Sequence, residues 1–98
     1  MKYKLDIAPR VSREIAHIYK YREENQGKNA ADRFIKALDD CYERILANPN
    51  GSRVRKAPFR HIMLHRLKYR VVYKVEDKLV SVVQVRHMSR KPSKKFGP

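Results

Sequence analysis

The sequence predicts an α+β fold: an N-terminal strand, an antiparallel helical hairpin, and a three-stranded antiparallel meander, forming one twisted sheet with the helices on one face. Three observations lead to this fold. Apolar residues alternate with polar ones near both ends of the chain, as they do in half-buried strands. Between these stretches, two segments repeat apolar residues at helical spacing. With 98 residues, the chain fits a single domain over residues 1–98.

The strongest strand signal lies in residues 69–86, where two runs rich in valine and tyrosine flank a polar turn. A three-residue loop at 76–78 places the odd-numbered residues of both strands on one nearly all-apolar face. A two-residue loop would mix charge into both faces, so the sequence favours the longer loop. The other face then carries the polar residues Arg70, Lys74, Gln84 and Arg86.

The segments before this hairpin predict one strand and two helices. Residues 2–7 alternate apolar and charged side chains, which indicates a half-buried strand. Pro9 suits the first turn of a helix, where its missing N–H breaks no hydrogen bond, and this helix is expected to end before Gly27. A second helix is expected to begin near Asn29, with Asp32 three residues on completing its cap. Its apolar stripe includes Cys41, which the pattern places in the core rather than at a reactive site.

The second helix is expected to stop at the turn formed by residues 48–51, after which the chain becomes strongly basic. Residues 60–66 alternate again and predict a further strand. If Ile62 and Leu64 face the helices, then His61, Met63 and His65 share the face of Arg70. The tail shows no periodicity and adds cations and one aromatic residue to the basic side: Arg90, Lys91, Lys94, Lys95 and Phe96.

The charge is unevenly distributed along the chain. The net charge is +14. Residues 1–52 hold 10 Lys/Arg and 8 Asp/Glu, a net charge of +2, whereas residues 53–98 hold 14 Lys/Arg and 2 Asp/Glu, a net charge of +12. Such segregation is typical of a surface that binds nucleic acid or an acidic protein. A solubility surface is the alternative, but solubility does not require the signs to be separated.

Several classes of protein are disfavoured by what the sequence holds. The one cysteine cannot form an internal disulfide, and the N-terminus lacks the apolar segment of a secretory signal, so we expect a cytoplasmic protein. Its apolar runs are too short to span a bilayer. His61 and His65 are four residues apart, which on a strand separates them by about 13 Å, too far to share a zinc ion. We therefore expect no metal, no small-molecule cofactor and no membrane partner.

The order of elements and three stretches of sequence resemble the RelE/ParE superfamily of toxins from bacterial type II toxin–antitoxin modules. The stretches are EIAHIYKYREENQGKNAADRFIKALDDCYERILANPNG, YRVVYKVEDKLV and VRHMSRKP. The helix pair and the histidine that ends the last strand are more similar to ParE, whose members are reported to poison DNA gyrase. The basic residues around Arg70 and Arg90, with Phe96 six residues further on, are more similar to RelE, a ribonuclease acting on mRNA in the ribosome.

The resemblance implies that Arg70, which matches the arginine of the family's YR-x-V-Y strand, and Arg90, beyond the last strand, contact phosphate. Metal-free RNA cleavage also needs groups that accept and donate protons, for which the histidines are candidates. Phe96 stands where RelE has a tyrosine, so it can stack on a base but cannot transfer a proton. The candidate catalytic residues are Arg70, His87, Arg90 and His65. The candidate substrate-binding residues are His61, Lys74, Arg86, Lys91 and Phe96.

Three functions remain open from the sequence. The first, which the charge favours, is a toxin that inhibits growth by ribosome-dependent mRNA cleavage, a metal-independent endoribonuclease. The second is a gyrase inhibitor without nuclease activity, and the third is a non-toxic nucleic-acid-binding domain. Without the resemblance, arginines such as Arg70 and Arg86 on an exposed sheet face are more often solvated charges, and a histidine at a strand end, such as His87, is also typical of a backbone hydrogen bond. The superfamily implies an acidic cognate antitoxin as partner, with the ribosome and mRNA, or gyrase, as target.

Overall fold

The computed structural model describes residues 2–64 and 66–88. Within these ranges the chain forms two helices and five strands. Their bounds are β1 Lys4–Ile7, α1 Pro9–Gln26, α2 Lys28–Ala47, β2 Arg53–Lys56, β3 Phe59–Leu64, β4 Tyr69–Glu76 and β5 Leu79–His87.

The strands form one five-stranded mixed sheet in the order β1-β5-β4-β3-β2. Strand β1 runs parallel to β5, and the other neighbours pair antiparallel. The helices pack on one face of the sheet, and we call the opposite face the distal face. The predicted α+β fold is therefore confirmed. The two helices connect β1 to the meander, and this connection is long enough for β1 to pair with β5 in parallel.

The predicted three-stranded meander proves to have four strands, because the basic segment after residue 51 forms an extra strand, β2. All four β2 residues are exposed. The strand occupies the sheet edge and pairs only with β3, with a bulge at Arg55 between the pairs Arg53–His61 and Lys56–Phe59. Sequence reasoning missed it because a charged edge strand lacks the apolar alternation that marks a half-buried one.

The register of β4 and β5 corrects the predicted hairpin. Glu76 pairs with Leu79, so the loop holds two residues, Asp77 and Lys78, rather than three. Asp77 adopts the left-handed conformation, with a φ of 52°, which aspartate tolerates better than most residues. Continued without interruption, this register would pair Arg70 with Val85. A bulge at Val83 shifts it, and Arg70 pairs with Arg86 instead.

The bulge at Val83 brings the predicted polar residues together on one face, although the register differs from the predicted one. Lys74 pairs with Ser81, Val72 with Gln84 and Arg70 with Arg86, so the four polar residues predicted for one face do share the distal face. The apolar face of β5 is different from the prediction. It carries Val80, Val82 and Val85, all buried, whereas Leu79 is 39% exposed.

The helical hairpin turns at Gly27, whose φ of 91° favours glycine. The predicted cap of α2 is wrong: α2 begins at Lys28, and no side chain in this described segment caps it. Asp32 instead accepts a hydrogen bond from the Tyr19 hydroxyl at 2.9 Å and so ties α2 to α1. The α2 helix buries far more of its surface than α1, which buries only Val11 fully.

The core lies between the helices and the face of the sheet that they cover, which we call the proximal face. Cys41 is fully buried there, as predicted, and burial raises the pKa of its thiol to about 11. The side chains in the core that are less than 2% exposed include Tyr73, Phe34, Ile45, Val11, Val71, Val80 and Cys41. A thiol with so high a pKa stays protonated at neutral pH, which supports a packing role.

The loop after α2 is fastened to the sheet by two side chains. The Tyr73 hydroxyl donates a buried hydrogen bond to the Pro49 carbonyl at 3.0 Å. Arg60 Nη1 donates to the carbonyls of Asn50 and Ser52 at 3.1 and 2.6 Å. These bonds satisfy backbone carbonyls that would otherwise be left unpaired where the helix stops.

Replacing Tyr73 with phenylalanine is expected to lower the free energy of unfolding by about 1 kcal/mol, because the buried Pro49 carbonyl loses its donor. Tyr42→Phe provides the matched control. The Tyr42 hydroxyl is buried and has no hydrogen-bond partner in the structure, so its removal is expected to leave stability unchanged or raise it. Urea unfolding of both variants measures the difference, and equal losses would contradict this account of the two hydroxyls.

Candidate functional site

The middle of the distal face brings together four basic side chains, which we call the cationic cluster: Arg55, His61, Arg70 and Arg86. Four neighbouring strands carry them, with Arg55 on β2, His61 on β3, Arg70 on β4 and Arg86 on β5. Arg70 on β4 pairs with Arg86 on β5, and His61 on β3 pairs with Val72, two residues from Arg70 on the same face. Because side chains alternate along each strand, the three point the same way. The predicted meeting of His61, Arg70 and Arg86 on one face is confirmed.

Arg70 is held loosely. Its Nη1 atom lies 3.5 Å from His61 Nδ1, which is at the long end for a hydrogen bond. In that contact the guanidinium donates and Nδ1 accepts, which puts the His61 proton on Nε2 if the ring is neutral. Arg70 Nε is buried and has no hydrogen-bond partner in the structure. The guanidinium therefore keeps hydrogen-bonding capacity for a ligand.

The electrostatics of the cationic cluster favour an anion. Burial, followed by repulsion from Arg86 and Arg55, lowers the pKa of the Arg70 guanidinium. Arg86 is only 6% exposed, so the repulsion acts in a partly desolvated place where charges interact more strongly than in water. Like charges directly opposite each other on a sheet are destabilising. A bound anion between the two guanidinium groups would attract both and so offset their repulsion.

Lys74 shares the distal face but is already paired. Its Nζ lies 2.9 Å from a carboxylate oxygen of Glu76 on the same strand. That pair is substantially exposed and is worth little to stability. The prediction that Lys74 binds substrate stays untested, and the structure shows that an anion would compete there with Glu76.

Arg55 was missed by the sequence reasoning. It lies at the bulge of β2, where the register shifts between Val54 and Lys56. Its influence on the Arg70 pKa shows that the edge strand extends the basic surface toward the centre of the sheet. The alternation of cations in Ser52-Arg53-Val54-Arg55-Lys56 was the available signal, but it could be recognised only once that segment is known to be a strand.

His87 does not join the cationic cluster. It ends β5 as predicted, but it pairs with Tyr69 and projects to the face that carries the helices. There its ring packs edge-on against the Tyr69 ring, with 5.1 Å between the centroids. Both residues line a groove of about 700 Å³ between α1 and the end of β5. His87 and Arg70 are therefore on opposite sides of the sheet, which separates two residues predicted to act together.

The other predicted site residues cannot be placed. His65, Arg90, Lys91 and Phe96 lie outside the described residues. Within residues 2–64 and 66–88, no group of three His, Cys, Asp or Glu side chains could hold a metal ion. Neither of the two helices that the structure describes is long and apolar enough to cross a membrane.

The arrangement suits the binding of a phosphate group. Arginine presents a planar fork of donors that matches phosphate oxygens, and Arg70 and Arg86 face each other across two strands. His61 adds an imidazole ring, whose nitrogens accept or donate hydrogen bonds. The cationic cluster therefore places guanidinium groups and an imidazole ring side by side on one sheet.

Solved structures share this fold. The ParDE toxin–antitoxin system of P. aeruginosa contains a chain that superposes with a TM-score of 0.77 at 14% identity, covering 89% of this chain and 97% of that one. The toxin of the E. coli RelBE complex gives a TM-score of 0.63 at 26% identity, covering 90% and 99%. A YoeB dimer from Staphylococcus aureus gives 0.61 at 14% identity, covering 89% and 98%.

A helical hairpin on a five-stranded sheet with a basic distal face defines a toxin of the RelE/ParE superfamily. A family model places the chain more narrowly. The model for the ParE toxin of the type II toxin–antitoxin system parDE matches residues 5–92, and the chain belongs to this family. Comparison with curated protein sequences gives no significant match. The protein is thus a toxin of a type II toxin–antitoxin system.

Arg70→Met is expected to raise the free energy of unfolding by up to about 1 kcal/mol, because it removes one of two like charges that face each other across the strands. The difference from the native protein is expected to shrink in high salt, where the repulsion is screened. Arg33→Met, an exposed position on α2, is the control and is expected to change stability by less than about 0.5 kcal/mol. A large loss of stability in Arg70→Met would show that Arg70 is structural.

Proposed function

We propose that this toxin inhibits growth by cleaving mRNA in the ribosome, with the distal face of its sheet as the RNA-binding surface. The observation that supports this proposal is the Arg70–Arg86 pair beside His61. Two facing guanidinium groups with a ring nitrogen at 3.5 Å provide the kinds of group that RNA cleavage without a metal uses. The toxin would act in the cytoplasm, where ribosomes translate.

Each member of the cationic cluster has a place in this chemistry. A base removes the proton from a ribose 2′-hydroxyl, and the oxygen attacks the adjacent phosphorus while the bond to the 5′-oxygen breaks. Negative charge grows on the phosphate oxygens, where Arg70 and Arg86 stabilise it. His61 is the candidate for proton transfer, because its ring lies beside Arg70 and histidine titrates near neutral pH. The proton taken from the 2′-hydroxyl is returned to the departing 5′-oxygen, so that the products are a 2′,3′-cyclic phosphate and a 5′-hydroxyl.

The proposed partner is an acidic antitoxin that binds the toxin directly. The RelE chain was solved in complex with its antitoxin RelB, and the Staphylococcus aureus YoeB toxin in complex with YefM. A net charge of +14 on this chain favours an acidic partner. Neutralising the cationic cluster would also relieve the repulsion between Arg70 and Arg86.

A gyrase inhibitor without nuclease activity is the second candidate. Two observations favour it: the family model is that of ParE, and His87 lies on the opposite side of the sheet from Arg70. The second observation removes one predicted proton-transfer group from the cationic cluster. In this alternative, the basic distal face would serve for binding gyrase or DNA rather than for chemistry.

Arg70→Ala is expected to reduce toxicity on induction in a sensitive host and to lower mRNA cleavage about a hundredfold, the loss typical when one group that stabilises transition-state charge is removed. His61→Ala is expected to do the same. His87→Ala is expected to remain active, since its side chain lies across the sheet. Arg33→Ala is the control for loss of a surface cation.

The measured response separates the candidate functions. Early loss of translation with cut transcripts supports the ribonuclease. DNA breaks with an SOS response, unaffected by His61→Ala, support gyrase inhibition and contradict our proposal. Normal growth on induction of the native toxin leaves only the binding of nucleic acid.

An acidic antitoxin is expected to raise the melting temperature of the toxin markedly. A partner that binds only the folded state at a hundred times its dissociation constant adds about 2.7 kcal/mol to stability. Differential scanning fluorimetry of the toxin with and without the cognate acidic protein measures the shift. An unchanged melting temperature would count against the proposed partner.

A further inference from the structure

Gln84 holds an unused acceptor in the middle of the distal face. It pairs directly with Val72, next to the Arg70–Arg86 pair. The residue is only 9% exposed, and its side-chain carbonyl oxygen is buried and has no hydrogen-bond partner in the structure. Buried polar atoms without a partner are uncommon because they destabilise the folded state. We therefore expect a ligand that donates a hydrogen bond to this oxygen.

An unused donor lies nearby. Arg70 Nε is also buried without a hydrogen-bond partner. Arg70 and Gln84 are diagonal neighbours across two paired strands, a position in which the backbones are about 7–8 Å apart and long side chains can reach each other. The distal face thus offers an arginine donor and an amide acceptor to the same bound molecule.

This combination distinguishes between ligands. A phosphate or a carboxylate at neutral pH presents acceptors, so it satisfies Arg70 but leaves the Gln84 carbonyl unpaired. A nucleotide presents both groups, since its phosphate accepts from arginine and the amino group of its base donates. Glutamine is a residue that reads bases in this way in protein–DNA complexes. The chemistry therefore favours a nucleotide with an exocyclic amino group over a simple anion.

We infer that Gln84 is a specificity-determining residue that accepts a hydrogen bond from the exocyclic amino group of an RNA base whose phosphate is bound by Arg70 and Arg86. This inference rests on the proposed RNA-binding function. Adenine, cytosine and guanine carry such an amino group, and uracil does not. Single-stranded RNA is the fitting form, because its bases are not already paired.

The loose attachment of Arg70 allows the base to reach Gln84. Arg70 is partly exposed, so a ligand meets it before it meets Gln84. Its contact with His61 is long, at 3.5 Å, so little is lost when the guanidinium turns toward a phosphate. Base recognition by Gln84 requires that this rotation expose its buried carbonyl oxygen.

Binding of short single-stranded RNA tests the inference. Fluorescence anisotropy would compare labelled oligoadenylate, oligocytidylate and oligouridylate with the native toxin and with Gln84→Met, which keeps the volume but removes the carbonyl. The native toxin is expected to bind the adenine and cytosine oligomers about five- to tenfold more tightly than the uridine oligomer, the effect of one hydrogen bond. Gln84→Met is expected to bind all three alike. Gln26→Met, the same change at an exposed position on α1, is expected to keep the native preference.

Thermal unfolding of the same variants supplies the second measurement. Because Gln84→Met removes a buried acceptor that has no donor, its melting temperature is expected to equal or exceed that of the native toxin. A lower melting temperature would show that the carbonyl is satisfied in solution and would overturn the inference.

The outcomes separate this inference from the proposed function. If the native toxin binds all three oligomers equally, or if Gln84→Met keeps the native preference, base recognition by Gln84 is wrong while RNA binding stands. If the native toxin binds none of the three, the RNA-binding proposal fails and takes the inference with it.

Discussion

The bulge at Val83 determines what the distal face presents. Without it, the two-residue loop would pair Arg70 with Val85, so that Val85 would leave the core and Gln84 and Arg86 would turn toward the helices. One additional residue restores the match between the two strands, so that Val85 enters the core while Arg86 faces Arg70. The same bulge therefore completes the hydrophobic core and assembles the cationic cluster, because a strand cannot change one face without changing the other.

The cationic cluster contains an unfavourable interaction, for which stabilising interactions elsewhere in the fold compensate. Arg70 and Arg86 repel each other in a partly desolvated position, and their strands are anchored from the other side by buried valines and Tyr73. A surface selected only for stability would not place two arginines opposite each other. A local unfavourable interaction of this kind in an otherwise stable fold is typical of functional sites, where groups are placed for binding at some cost in stability.

The sequence predicted much of this architecture, and its errors have identifiable causes. The helical hairpin, the order of elements and the polar residues of the distal face follow from hydrophobic periodicity. The loop length and the bulge do not, because each shifts the register by one residue in the same direction, and the two shifts together leave Gln84 and Arg86 on the face predicted for them. Strand β2 escaped detection because its exposed edge position removes the apolar signal. His87 was grouped with Arg70 on the resemblance, although the alternation of the predicted hairpin already places this odd-numbered residue on the face that the helices cover.

The two halves of the chain differ in net charge and form different parts of the fold. The nearly balanced first half forms β1 and the helical layer that packs on the proximal face, whereas the basic second half supplies every member of the cationic cluster. Seven of the ten acidic residues lie in the two helices, which pack on the opposite side of the sheet from the distal face. Glu76, which pairs with Lys74 at the turn, shows what a carboxylate on the distal face does to a cation. Such a separation suits the proposed binding of an anionic macromolecule and of an acidic antitoxin, because Glu76 and Asp77 are the only acidic residues in the basic second half of the chain.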